Sequence, residues 1–389
     1  MDTIARPSLD VFARNKLAEL DSQQLRRRLV ESPREDALWI VRDGRRLLSF
    51  CCNDYLNLTQ HQATVAASIE ATRRWGVGSG GSRLVTGNHP LFAELESRLA
   101  ALKGTEAACV FGSGYLANAG IIPALAGKPD LLLVDELAHA CIWAGAQLSQ
   151  AKVMRFRHND VAHAAELLEA ERPHHRHALI LTDGVFSMDG DLAPVAALAA
   201  LADTHDAWLM TDDAHGIGVL GGGRGSAHGV AVPLQMGTLS KAIGAYGGYL
   251  CASAPVIELI RNRSRSFVYS TGLPPGTVAA AIAALDLIVR EPLYAALPLE
   301  RGRQFTAALD LPAAESPIVP LLLGEAEQAL AASRLLAEAG FLVAAIRPPT
   351  VPPGSARLRF TFTAGHRAED VARLADLVRT RILKAEAIR

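Results

Sequence analysis

Over residues 8–30 the apolar positions Leu9, Phe12, Leu17, Leu20, Leu25 and Leu29 fall near helical spacing with charges between them. An amphipathic helix is expected there. Pro33, Asp43 and Gly44 mark the turn-rich stretch behind it. From about residue 46 the pattern changes. Leu91, Leu95, Leu99 and Leu102 share one face, with Pro90 at its start, and predict a helix over 90–103. Short apolar runs recur at 108–111, 131–134, 178–182, 207–211 and 248–252, and helical intervals such as 161–171 and 194–204 separate most of them. Strands without polar alternation, spaced by helices, belong to a sheet covered on both faces. The expected fold is therefore α/β with a mainly parallel central sheet flanked by helices. The last hundred residues differ. An Ala/Leu-rich helix near 276–291 leads to shorter elements and a closing helix carrying Val371, Leu374, Leu377 and Ile382. The expected organisation is an N-terminal helical segment (1–45), a large domain (46–275) and a small C-terminal α+β domain (276–389).

Composition narrows the function. The 389 residues hold 39 Lys and Arg against 40 Asp and Glu, a net charge of −1. This balance, with 50% hydrophobic residues, excludes a disordered chain and a basic nucleic-acid binder. No apolar stretch reaches the roughly 18 residues a membrane helix needs. The five cysteines lack C-x-x-C spacing, so neither a disulfide framework nor a zinc site follows. His174, His175 and His177, beside Pro173, read as a solvated loop, and no metal site is expected. The first residues carry no basic segment followed by an apolar core, and a cytoplasmic location is expected.

The chemistry gathers after the strands, where open α/β sheets bind ligands. Four polar stations follow one another. Phe111-Gly112-Ser113-Gly114-Tyr115 precedes a helix expected to start near Asn118, a place where backbone N–H groups meet an anion. Asp135-Glu136-Leu137-Ala138-His139 supplies an imidazole able to lie flat on a ring. Asp183 to Asp191, then Asp212-Asp213-Ala214-His215-Gly216, supply carboxylates at strand ends; a buried one needs a cationic partner such as a protonated heterocyclic nitrogen, an Arg or a metal. Gly237-Thr238-Leu239-Ser240-Lys241-Ala242 places a lysine among small residues, where desolvation favours the neutral amine that condenses with an aldehyde. Each station alone reads equally as an ordinary turn or surface loop. In this order they describe a pyridoxal phosphate (PLP) site.

From about Leu25 to the closing helix, the chain resembles the α-oxoamine synthases, PLP enzymes of fold type I. The resemblance rests on NDYL (53–56), GSGGSRLVTGNHP (78–90), HND (158–160), DGVFSMDGD (183–191), DDAHG (212–216) and GTLSK (237–241). Within that family, 345–352 (AIRPPTVP) looks like the biotin-pathway branch. The resemblance implies that Lys241 holds PLP covalently, Asp212 pairs with the ring nitrogen and His139 stacks on the ring. It implies that Ser187 and His215 contact the ring hydroxyl side and that Gly114, Tyr115 and Thr238 serve the phosphate. Ser270 and Thr271 complete the phosphate site from the neighbouring subunit of a homodimer. Arg359 anchors a substrate carboxylate, and Arg26, Asn53 and Thr350 match substrate-contacting positions. The implied substrates are L-alanine and a pimeloyl thioester of CoA or acyl carrier protein, condensed with loss of CO2. A protonated His139 or a nearby donor stabilises oxygen charge as it develops. Glycine C-acetyltransferase, or another acyl-CoA:amino-acid condensing synthase, stays open as the alternative. Phe92, Asn57 and Cys141 depart from residues common in the family.

Overall fold

The structure, a computed structural model, describes residues 7–23, 25–27 and 29–384. It forms two compact units, residues 1–49 with 321–359, and 50–320 with 360–389. The expected stretches 1–45, 46–275 and 276–389 are cut along the chain, whereas these units are each assembled from separated pieces.

The smaller unit begins with α1 (Pro7–Ser22). The amphipathic pattern predicts a helix to residue 30, but the described residues after Ser22 are not helical. There the side chains are engaged elsewhere in the unit: Arg26 turns back to Asp21 at 2.6 Å, and Arg27 Nη2 reaches Thr350 Oγ1 at 3.5 Å. Strands Trp39–Arg42 and Arg45–Ser49 form an antiparallel hairpin that turns through Asp43 and Gly44, both at positive φ. Phe341–Leu342 adds to it in parallel. A second sheet orders Ile318–Gly324, Ala356–Thr361 and Ala344–Ile346, and the chain passes between units within the first two of these strands.

The larger unit is built on seven strands: β1 (Ala107–Phe111), β2 (Leu131–Asp135), β3 (Lys152–Phe156), β4 (Ala178–Asp183), β5 (Trp208–Asp212), β6 (Leu234–Thr238) and β7 (Gly248–Ala252). Their order is β1-β7-β6-β5-β4-β2-β3. Only β7 runs against its neighbours, so the sheet is mixed but mainly parallel. Around it lie α2 (Leu91–Lys103), α3 (Gly114–Leu125), α4 (Ala140–Ser149), α5 (Val161–Glu171), α6 (Val195–Thr204), α7 (Pro275–Arg290) and α8 (Ala368–Val378). Strand β2 shows why no alternation was visible. Leu132 and Val134 join a core with Ile121 of α3 and Ile142 of α4, while Leu131 and Leu133 join another with Leu168 of α5 and Leu198 of α6. Both faces are dry, so the four positions before Asp135 are all apolar.

Strands β3 and β6 were not expected, for opposite reasons. Edge strand β3 exposes Lys152 and Arg155, whose charges interrupt the apolar run. Strand β6 is buried throughout, yet it contains Gln235, Gly237 and Thr238. Their polar groups find internal partners: Gln235 Nε2 donates to the Lys103 carbonyl at 3.4 Å, and Thr238 Oγ1 to the Gly247 carbonyl at 2.8 Å.

Candidate active site

The carboxyl ends of β4, β5 and β6 open onto a cavity of about 230 Å³ in the larger unit. Its walls carry Ser113, Gly114 and Tyr115, then His139 and Cys141, then Asp183 and Ser187, then Asp212, His215, Thr238, Ser240 and Lys241. Eight of the expected site residues thus meet there from stations up to about 130 positions apart. A larger cavity of about 810 Å³, walled in part by Leu102, Leu285 and Arg224, shares no lining residue with this one. Chemistry, not size, selects the smaller.

One end of the cavity is made for an anion. Helix α3 starts at Gly114, four residues before the expected Asn118, because Ser113 caps it: its Oγ accepts from Leu116 N at 3.2 Å. The first-turn N–H groups of Gly114 and Tyr115 have no carbonyl partner inside the helix. The Thr238 and Ser240 hydroxyls, 2.6 Å apart, complete this end. Close approach demands glycine here. A Cβ on Gly248 would lie 2.4 Å from the Ser113 carbonyl oxygen.

The other end holds a buried negative charge. Asp212 accepts from Asn118 Nδ2 at 2.7 Å and from the Ala214 backbone N–H at 3.0 Å. Cys141 Sγ lies 4.0 Å away, and burial, with the charge of Asp212, pushes its thiol up to about 12. All these donors are neutral, and a buried carboxylate favours a cationic partner. Asp183, fully buried, is held well above the usual carboxylate range by desolvation and by Asp212, against the 2.7 Å hydrogen bond from His139 N–H. Burial and the neighbouring Asp212 together favour the neutral form of Asp183.

His139 caps α4, its Nδ1 accepting from the Cys141 N–H at 3.3 Å. The ring proton therefore sits on Nε2. Burial holds its pKa below the ordinary value, Asp212 opposing and Lys241 assisting. This corrects the expectation of a protonated His139: the imidazole is neutral and donates through Nε2–H. On the facing wall Lys241 Nζ lies 2.7 Å from His215 Nε2, and His215 Nδ1 lies 2.5 Å from Tyr55 Oη.

The remaining expected residues lie elsewhere. Ser270 and Thr271 line a separate crevice with Arg83 and Phe92, not this cavity. Asn53 is outside the lining, its carbonyl accepting from Tyr55 N at 2.9 Å. Arg26, Thr350 and Arg359 belong to the smaller unit. There Arg27, not Arg26, reaches Thr350, and Arg359 is buried opposite Ala344. Sequence reasoning missed Asn118, Tyr55 and Ser240. Ser240 and Tyr55 stood inside quoted blocks; Asn118 carried no local signal.

These residues fit PLP. A buried carboxylate with neutral donors suits a protonated ring nitrogen, the α3 terminus with two hydroxyls suits a phosphate, and a lysine amine lines the same cavity. Residues 45–378 match the profile of aminotransferase class I and II. The chain belongs to that family. Within it, the chain is 67% identical over 376 residues to a putative 8-amino-7-oxononanoate synthase of Acidiphilium cryptum, covering 97% of this chain and 99% of the relative. It is 65% identical to the 8-amino-7-oxononanoate synthase of Granulibacter bethesdensis, covering 96% and 97%. Among solved structures it is similar to a serine palmitoyltransferase variant from S. paucimobilis with bound PLP-myriocin aldimine, with a TM-score of 0.87, 28% identity and coverage of 96% and 97%. It is also similar to the 8-amino-7-oxononanoate synthase of Francisella tularensis, with a TM-score of 0.75, 27% identity and coverage of 88% and 99%. The family member described here is a fold-type-I PLP enzyme of the α-oxoamine synthase branch. No helix among the described residues is long and apolar enough to cross a membrane.

Proposed function

We propose that the chain condenses L-alanine with a pimeloyl thioester to give 8-amino-7-oxononanoate, CO2 and a free thiol. The observation that carries this reading is the meeting of the Lys241 amine, the Asp212 carboxylate and the α3 terminus in one cavity, in a chain 65–67% identical to 8-amino-7-oxononanoate synthases over nearly its whole length. PLP, when bound, supplies the electron sink that stabilises a carbanion at the amino acid's Cα. Lys241 would hold it through Nζ, Asp212 at the ring nitrogen, His139 over the ring, Ser187 and His215 on the hydroxyl side, and Gly114, Tyr115, Thr238 and Ser240 at the phosphate.

The chain's own groups account for the proton movements. Lys241 Nζ, as a free amine, takes the proton from the alanine Cα. That carbon bonds to the thioester carbonyl carbon as the C–S bond breaks and the thiolate leaves, taking a proton from water. The alanine carboxylate then departs as CO2, and the carbon it leaves regains a proton from Lys241 Nζ. Neutral His139 donates Nε2–H to the oxygen that gains charge. Arg359 would hold the substrate carboxylate, and Arg26, Asn53 and Thr350 would contact substrate. We read the working enzyme as a cytoplasmic homodimer in which Ser270 and Thr271 of one copy serve the phosphate of the other.

The test is to offer the PLP-loaded protein alanine or glycine against pimeloyl, acetyl and succinyl donors on CoA, and pimeloyl on acyl carrier protein, reading free thiol and CO2. Turnover of alanine with a pimeloyl donor is expected. Turnover confined to glycine with acetyl-CoA overturns the substrate assignment.

A further inference from the structure

Tyr55 is fully buried in the core that includes Leu239 and Ala242 on either side of Lys241. Its hydroxyl meets His215 Nδ1 at 2.5 Å, and the opposite ring nitrogen, Nε2, meets Lys241 Nζ at 2.7 Å. Three groups from 55, 215 and 241 therefore form one hydrogen-bonded line. Its order is that of a nucleophile, the imidazole beside it and a third group that orients the imidazole.

We propose that Tyr55 is a positioning residue for Lys241: its O–H donates to His215 Nδ1, which places the imidazole proton on Nε2, and Nε2–H donates to the Lys241 amine. A neutral imidazole has one donor and one acceptor nitrogen, so fixing the role of one fixes the other. An ammonium has three donors and no lone pair. Only the uncharged amine can accept from Nε2–H, so this tautomer favours the form of Lys241 that attacks an aldehyde or takes a proton.

Besides His215, the titratable groups lining the cavity with Lys241 are Asp212 on β5, Asp183 on β4, His139 and Cys141 at the start of α4, and Tyr115 in the first turn of α3. Burial pushes the Asp183 carboxyl and the Cys141 thiol upward and holds His139 below its ordinary value. The carboxyl groups of Asp212 and Asp183 favour a positive charge on Nζ, and the Tyr55–His215 pair acts against them. The value of a neutral Lys241 rests on the function proposed above; the hydrogen-bond polarity does not.

The test uses Tyr55→Phe, which keeps the ring in the core and removes the hydroxyl. His215 is then free to carry its proton on Nδ1, and Lys241 can stay an ammonium. The readout is the pH dependence of PLP capture by cofactor-stripped protein, followed by visible absorbance, which needs neither alanine nor an acyl donor. The pH of half-maximal capture is expected to rise by about one unit, slowing capture near neutrality about tenfold. With substrates, kcat should fall about tenfold while KM for alanine stays within about twofold. In a His215→Asn background the further change to Phe should alter either value by less than about twofold, because both act along one line. An unmoved pH midpoint, or an equal loss in both backgrounds, overturns the proposal. If Tyr55→Phe fails to fold, His215→Asn alone must show the same upward shift, and its absence overturns the proposal equally. Wild-type protein that captures PLP but leaves alanine and pimeloyl thioesters unreacted sinks the proposed function, while the pH midpoints still decide the role of Tyr55.

Discussion

At the scale of single residues, the site works by separating groups of like chemistry. Asp212 accepts from Asn118 and a backbone N–H, whereas burial and the nearby Asp212 push the Asp183 carboxyl upward. Asn118→Ala should therefore strip Asp212 of a buried donor and raise the dissociation constant for PLP about tenfold, measured by titrating cofactor-stripped protein. His158 is a second charged point, outside the cavity. Burial by itself would lower its pKa, but Asp135 at 3.1 Å and Asp191 at 2.8 Å outweigh burial and raise it to about 10. A pKa raised in the folded state contributes stability that is full below the unfolded value, about 6.5, and is lost as pH rises through about 10. The unfolding midpoint of wild type should thus exceed that of His158→Gln most below about pH 6.5. The gap should close toward about pH 10; a gap that widened with pH would assign His158 the opposite sign.

Elements then aim these residues. The turn after β5 is pinned by Asp213, whose carboxylate pairs with Lys103 of α2 at 2.7 Å with both side chains at 0% exposure. It also accepts from Ser226 N and Oγ at 3.0 and 2.8 Å. Gly225 has no room for a side chain, since a Cβ there would lie 1.5 Å from Asp213 Oδ2. Because Asp212 is the preceding residue, α2 and the 221–228 loop hold the catalytic carboxylate in place through its neighbour. Lys103→Met leaves Asp213 as an unpaired buried charge. It should cost about 3–5 kcal/mol of stability, read from denaturant unfolding, and double replacement of the pair by apolar residues should recover part of that loss.

For the whole molecule, the large unit carries the residues that fit PLP. A ligand that binds only the folded form stabilises it by mass action, by about 2.7 kcal/mol at a hundred times its dissociation constant. Saturating PLP should accordingly raise the thermal midpoint of wild type, with a much smaller rise in Lys241→Ala. An equal rise in both would separate cofactor binding from Lys241.

Sequence by itself determined the layered α/β core, because most of its strands are dry on both faces and read as unbroken apolar runs, and it determined the lysine, aspartate and imidazole stations, because strand ends in such sheets converge on one edge. Tertiary structure alone decided what those stations become. Asn118 looks like any polar helical residue until α3 packs on the sheet and brings its amide to Asp212, and Tyr55 looks like core until its hydroxyl meets His215. The neutral state of His139 likewise depends on burial that no local pattern encodes. Strand β6 was hidden for the same reason: its polar side chains are tolerated only because partners distant in the chain, Lys103 and Gly247, close their hydrogen bonds in the folded interior.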